Sequence, residues 1–308
     1  MVKQLLKYVS VPVLLLSAGI ATFLTMVHSW NYELMAMGIF LFTAVYILIL
    51  ERSIPLKPTW KSSRQETIID TKHLLSTAVF DALGKTFAVW IILSIHSWYA
   101  PNIEVWKGLS FIFVFVIANI IGELLPYVYH RISHIGKANY VASLFLWKVH
   151  SIHHLPVSLN WFKTNWMHPI NMFLNTILKY GVLMLLGFSE EIIFSVGVMH
   201  VVIAYLSHAN IDARTWLLDY VIVTPKIHQF HHSRNIAEAK NFGNILPFWD
   251  MVFGTFYNRK GQVEEVGVVE ATYTYPDKNT FLKQWTFPFY ARKNCCLSKE
   301  MTINKNQK

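Results

Sequence analysis

Leu109 to His134 reads LSFIFVFVIANIIGELLPYVYHRISH, and this stretch decides how the rest of the chain is read. From Leu109 to Tyr127 it is apolar over a length that crosses a bilayer, with Glu123 its one charge. His130 and His134 follow directly. One helix is therefore expected to leave the membrane and carry both imidazoles on a single face. Two further clusters lie downstream, His150-Ser151-Ile152-His153-His154 and His228-Gln229-Phe230-His231-His232, and eleven of the 14 histidines fall between His130 and His232. Imidazole is the commonest nitrogen ligand for iron, copper and zinc. Three converging clusters describe a metal site with more than one ion.

Other apolar runs extend the membrane reading to the whole chain of 308 residues, 54% of them hydrophobic. They cover about Val9–Val27, Tyr32–Leu50 and Leu75–Ile95, with two shorter runs, Ile170–Phe188 and Ile192–Leu206, forming a hairpin around Ser189-Glu190-Glu191. The expected fold is all-α: a polytopic membrane bundle of about four to six spans with a cytoplasmic histidine-rich cap holding a di-metal site. The first run follows Lys3 and Lys7 as in a signal peptide, but it lacks a convincing cleavage site and is followed at once by another apolar run, so a retained span is expected. Arg52, Lys57, Lys61, Arg64 and Lys72 make the 51–73 loop basic, while the opposite loops hold little beyond Lys107. That asymmetry puts both termini and all three clusters in the cytoplasm, in a bacterial inner membrane or the endoplasmic reticulum. The net charge of +9 follows from this topology and calls for no nucleic acid. The two cysteines, Cys295 and Cys296, are adjacent and offer no disulfide framework; palmitoylation is a minor expectation. Three regions are expected: a transmembrane region over 1–105, a catalytic domain with spans over 106–260, and a cytoplasmic tail over 261–308.

The clusters are separated by a long loop (135–149) and by the last hairpin, so tertiary folding must assemble the site. Pro156 ends the segment bearing the second cluster. Thr224-Pro225 is a helix start, Thr224 as N-cap and Pro225 at the first position, which places His228, His231 and His232 on the first two turns. His208, at the end of the last run, faces the same compartment and is expected as a further ligand. His200, two turns earlier, is either a ligand or a hydrogen-bonded core residue. His168, before Pro169, either shapes the chain or supports a ligand ring. Glu123 is expected either to pair with a neighbouring helix, such as the one bearing Lys85, or to support the metal site.

Eight or more imidazoles exceed the four ligands of a structural zinc, and two ions with four or five nitrogens each fit the count. Hydrolysis at zinc would need a carboxylate base as in HExxH; no HExxH occurs and no cluster contains a carboxylate. The donor set favours iron and oxygen chemistry.

The chain resembles the fatty acid hydroxylase/sterol desaturase superfamily, membrane-bound histidine-rich di-iron oxygenases. The resemblance rests on the order HxxxH, HxxHH, HxxHH, and on Asn160-Trp161, His168-Pro169, His208-Ala209-Asn210-Ile211, Thr224-Pro225, Asn241-Phe242-Gly243, Trp249-Asp250 and Phe253-Gly254-Thr255. It implies two iron ions held by His130, His134, His150, His153, His154, His228, His231 and His232, with His208 as a further ligand. It also implies dioxygen as co-substrate and a membrane lipid (sterol, fatty acyl or ether lipid) that is hydroxylated, desaturated or cleaved. Electrons would come from a separate reductase with a cytochrome or ferredoxin. Asp250 and Arg131 are expected to orient ligand histidines, or else to serve as a helix cap or surface ion pair. Two departures stand out: Trp166 and Asn171 occupy places where many relatives carry an arginine and an acidic residue, and the fifteen-residue spacer between the first and second clusters is long and includes the largely apolar stretch Val141 to Trp147. The rival reading is a non-enzymatic or metal-handling membrane protein that keeps the fold around a structural metal pair. Oligomeric state is not legible.

Overall fold

The computed structural model describes residues 2–95, 103–136, 141–269 and 275–289. Cys295, Cys296 and the end of the expected tail lie outside the described residues. Among the described residues the protein is helical, and the only β pairing is two isolated bridges, Pro55 with Ile211 and Ser233 with Val266.

Five helices are long and apolar enough to cross a membrane: α1 (Val2–Val27), α2 (Tyr32–Ser53), α3 (Arg64–Ile95), α4 (Phe111–Ile135) and, later in the chain, α8 (Glu190–His208). Asn31 starts α2, its side chain accepting from the Leu34 N–H, and Ser110 starts α4 through the Phe113 N–H. Gly136 closes α4 at φ 50°, in the left-handed region that only glycine adopts at little cost. Large apolar side chains on α1, α3 and α4, among them Leu16, Leu93 and Ile112, point away from the protein. Such faces are stable against lipid and costly against water. This is an integral membrane protein.

The expected hairpin differs in its first arm. Residues 169–185 form a single helical run of three pieces: α6 (Pro169–Thr176), a π turn over Ile177–Gly181, and α7 (Val182–Leu185). The extra residue of the π turn accompanies an inward-facing, buried Lys179. The expected long loop before the second cluster is also largely helix: α5 runs from Val141 to His154 and ends just before Leu155-Pro156.

Packing of α1, α2 and α8 builds the main apolar core, which continues through Val223 and Ile227 into α9 (Pro225–His231). Two short helices, α10 (Phe248–Val252) and α11 (Phe281–Thr286), complete the described chain. The loop after α2 is tied to the end of α8 through Glu51 and Asn210. Glu51 Oε1 accepts from the Asn210 and Trp161 N–H groups at 2.9 and 2.8 Å, and Asn210 Oδ1 accepts from the Lys57 N–H at 2.9 Å. These bonds fix the end of α8, and with it His208.

Candidate metal centre

Four helices bring nine imidazoles together. The end of α4 carries His130 and His134, and α5 carries His150, His153 and His154. His208 ends α8, while α9 contributes His228 and His231, with His232 at its C-cap. They sort into two groups, His130, His134, His150, His154 and His231, and His153, His208, His228 and His232. Within each group one nitrogen of every ring lies within 4.8 Å of the others. The rule behind the sorting is helical. Pairs four residues apart (130/134, 150/154, 228/232) stay together on one face, whereas His153 and His231, three residues along, cross to the other group.

Hydrogen bonds at the far side of the rings decide what the inner nitrogens are. His130 Nδ1 lies 2.7 Å from the Phe242 carbonyl, His231 Nδ1 2.9 Å from that of Lys240, His153 Nδ1 3.2 Å from that of Trp166, and His208 Nδ1 3.1 Å from that of Ala204. A carbonyl only accepts, so each Nδ1 carries the proton and each Nε2 presents a lone pair. Yet His130 Nε2 is 3.0 Å from His231 Nε2, and His208 Nε2 is 3.1 Å from His153 Nε2. Two lone pairs at that distance repel unless something positive lies between them. Extra protons do not supply it: burial first, and repulsion from neighbouring imidazoles second, hold His150, His153, His154, His228, His231 and His232 well below the usual histidine range. His134 Nε2 is buried without any hydrogen-bond partner, and His228 Nε2 stands 3.0 Å from His208 Nε2 and 3.1 Å from His232 Nε2. Converging unprotonated nitrogens of this kind fit two metal cations, one per group.

The remaining candidates fall at different distances from this centre. Asp250 acts at one remove: its carboxylate accepts from the Phe242 and Gly243 N–H groups at 2.8 and 2.7 Å and from Thr255 Oγ1 at 2.6 Å. It thereby sets the turn whose carbonyl receives His130. Arg131 touches no histidine ring; it lies 3.5 Å from Tyr127 Oη and above the Phe253 ring. His168 does not reach a ligand ring either. It caps α6, its Nδ1 accepting from the Ile170 N–H, while its Nε2 donates to the Trp285 carbonyl. His200 belongs to neither group and accepts at Nδ1 from Lys179 Nζ at 2.6 Å. Glu123 pairs with Lys179, not Lys85, and its other oxygen accepts from the Asn244 and Ile245 N–H groups. Lys85 pairs with Asp81 on its own helix. Thr224 does not cap α9 with its side chain, because its hydroxyl donates to Asp219.

Both residues that depart from the resemblance, Asn171 and Trp166, have structural roles. Asn171 Oδ1 accepts from Tyr129 Oη at 2.9 Å and stands 3.4 Å from His150 Nδ1, where it orients that ring as a carboxylate would. Trp166 is buried, donates its indole N–H to Asp70 at 2.5 Å and offers its backbone carbonyl to His153. Sequence reasoning missed the carbonyls of Phe242, Lys240 and Trp166, because a backbone oxygen leaves no side-chain signal.

A cavity of about 550 Å³ opens beside the centre, walled mainly by α2, α3, α6 and α8 and lined largely by apolar side chains. His130 and His150 of one group and His153, His208 and His228 of the other reach it. Its far end meets Glu190, at the opposite end of α8 from His208. Eighteen residues of helix separate those ends, roughly 27 Å.

Spanning helices, an elongated apolar cavity and two groups of buried imidazoles define a membrane protein whose candidate metal centre faces a space shaped for a chain-like apolar molecule. The family model for fatty acid hydroxylases matches residues 115–255. The chain is similar to the ornithine lipid hydroxylase OlsE of Rhizobium tropici, at 32% identity over 231 residues, covering 71% of this chain and 66% of that protein. It is also similar to the alkylglycerol monooxygenase of Danio rerio, at 28% identity over 132 residues, 42% of this chain and 27% of the fish protein. The chain thus spans just under two thirds of the first relative's length and about a quarter of the second's. No solved structure matches it.

Proposed function

We propose that this protein is a di-iron oxidoreductase that hydroxylates or desaturates a membrane lipid at an unactivated C–H bond, using dioxygen and electrons from a separate donor protein. The observation that carries the reading is the apolar cavity lined by imidazoles of both groups. The two relatives, a lipid hydroxylase and an alkylglycerol monooxygenase, support the same reaction class. The ligands are His130, His134, His150, His154 and His231 for one ion and His153, His208, His228 and His232 for the other. They lie on the cytoplasmic side, within a catalytic domain covering 106–260, after a transmembrane region over 1–105 and before a tail over 261–308.

Two iron ions, when bound, supply the dioxygen chemistry that an unactivated C–H bond demands. The chain's own residues do the rest. Carbonyls of Phe242, Lys240, Trp166 and Ala204 keep the proton on Nδ1, so Nε2 stays free to bind metal. Apolar walls between α2, α3 and α8 take up the lipid chain, exclude water and hold one carbon beside the imidazoles. A non-enzymatic metal-handling protein has no use for such a cavity.

The test is lipid mass spectrometry on cells expressing the chain or its His231→Ala variant. A lipid that gains one oxygen, or loses two hydrogens, only with the intact chain is the expected result. Identical lipid profiles, with both proteins in the membrane and a reductase supplied, would remove the proposal.

A further inference from the structure

Partway along the cavity the apolar lining is interrupted by charged and polar side chains that the metal centre does not use. Lys179 and His200 both line it, with Asp81, Lys85 and Thr176 close by. Ionisable groups at membrane depth are costly and usually serve a function. Lys179 Nζ pairs with Glu123 and donates to His200 Nδ1. An ammonium has three protons, so one is left over. Because a lysine only donates, His200 Nδ1 is the accepting nitrogen and the ring proton sits on Nε2. Among the described residues that Nε2–H has no hydrogen-bond partner. Two unused donors therefore adjoin one cavity.

Charge decides what they fit. Lys179 is matched by Glu123, and Lys85 by Asp81, so the belt carries no net charge. A carboxylate or phosphate bound there would be buried without a counter-charge, whereas a neutral carbonyl oxygen needs only donors. We propose that the His200 Nε2–H, held in that tautomer by Lys179, donates to the carbonyl oxygen of an ester or amide in the lipid substrate. This inference rests on the lipid reading above and narrows it: the substrate is an acyl lipid whose carbonyl enters the cavity, not a bare hydrocarbon or a sterol. His200 lies eight residues before His208 on α8, about 12 Å along the axis. The carbonyl is thus anchored well away from the carbon beside the imidazoles, a reach on the order of ten covalent bonds in an extended chain.

The experiment is scintillation-proximity binding of tritiated methyl octadecanoate, octadecane and octadecanoate to the purified full chain. The intact protein is expected to bind the ester about tenfold more tightly than the alkane, the worth of a net hydrogen bond or a little more, and no less tightly than the free acid. In Lys179→Met/Glu123→Gln, which removes the buried charge pair together and keeps an oxygen for the Asn244 and Ile245 N–H groups, the ester preference should fall to within about twofold. His200→Phe should do the same. Unchanged octadecane affinity in these variants checks that the cavity is intact. Persistence of the ester preference in both variants, or tighter binding of the free acid by the intact protein, would overturn the carbonyl assignment alone. Failure of the intact protein to bind octadecane would overturn the lipid-cavity reading beneath it.

Discussion

The Nε2 atoms of His130 and His231 lie 3.0 Å apart, while the Nδ1 of each ring donates to a backbone carbonyl, Phe242 for one and Lys240 for the other. Neither ring has a proton to place between them. A cation relieves that repulsion, so the folded protein should bind metal tightly and be stabilised by it. His231→Ala is expected to lose most of the metal of its group while still inserting in the membrane. Metal content by mass spectrometry per mole of purified protein checks this; full occupancy in the variant would exclude His231 as a ligand.

His168 gives the contrast. It stands in neither group and caps α6 instead. His168→Ala should retain its metal and cost about 1 kcal/mol of stability, as loss of a helix cap usually does. Metal analysis and thermal unfolding on one preparation separate the two effects. A large loss of metal from His168→Ala would mean that the α6 terminus steers the centre.

Asn171 reaches the centre through a ring, with Oδ1 between Tyr129 Oη and His150 Nδ1. Asn171→Leu should lower metal affinity by roughly 10–100-fold, the usual effect of removing a group that orients a ligand. Asn171→Asp, which keeps the acceptor, should hold metal at least as well as the parent. Competition with a chelator of known affinity measures both, and equal affinities for all three proteins would show that His150 needs no orienting partner.

These positions also mark what was legible from the residues alone. The three clusters, their helical faces and the place of His208 could be read because spacing of three and four residues is a local property. The division of nine rings into five and four could not, since it depends on how α4, α5, α8 and α9 rotate against one another. For the same reason the sequence leaves Glu123 open between an ion pair to a neighbouring helix and support of the metal site, and only the fold pairs it with Lys179. The helix Val141–His154 was hidden because its apolar stretch carries no capping signal at its start. Asp250 was expected near the histidines and does act on them, but through the amides of Phe242 and Gly243, a connection only the folded turn creates.

That turn leads to a steric prediction. A Cβ on Gly243 would stand 2.2 Å from the Leu246 carbonyl oxygen and 3.0 Å from Asp250 Oδ2. Backbone cannot yield there as a flexible side chain would, so Gly243→Ala must displace the turn that presents the Phe242 carbonyl to His130. The expected cost is about 1–3 kcal/mol of stability, together with weaker metal binding. Thermal unfolding with and without chelator tests the coupling: if the variant is destabilised equally in both states, the turn serves the fold and not the centre.

Acid should act on the centre in a definite direction. Burial, reinforced by neighbouring imidazoles, holds His150, His153, His154, His228, His231 and His232 well below the usual range. The unfolded chain therefore takes up more protons than the folded one as pH falls through about 6.5, the ordinary histidine value. Stability of the metal-free protein is fully present above that pH and is lost progressively below it, down to the depressed values of the folded state. The melting temperature of chelator-treated protein should drop between about pH 7 and pH 5, whereas metal-loaded protein should hold its value further into acid because bound metal keeps protons off the ligand nitrogens. A flat profile for the metal-free protein across that interval would mean that water reaches these imidazoles, and the argument that only a cation can sit between them would fail.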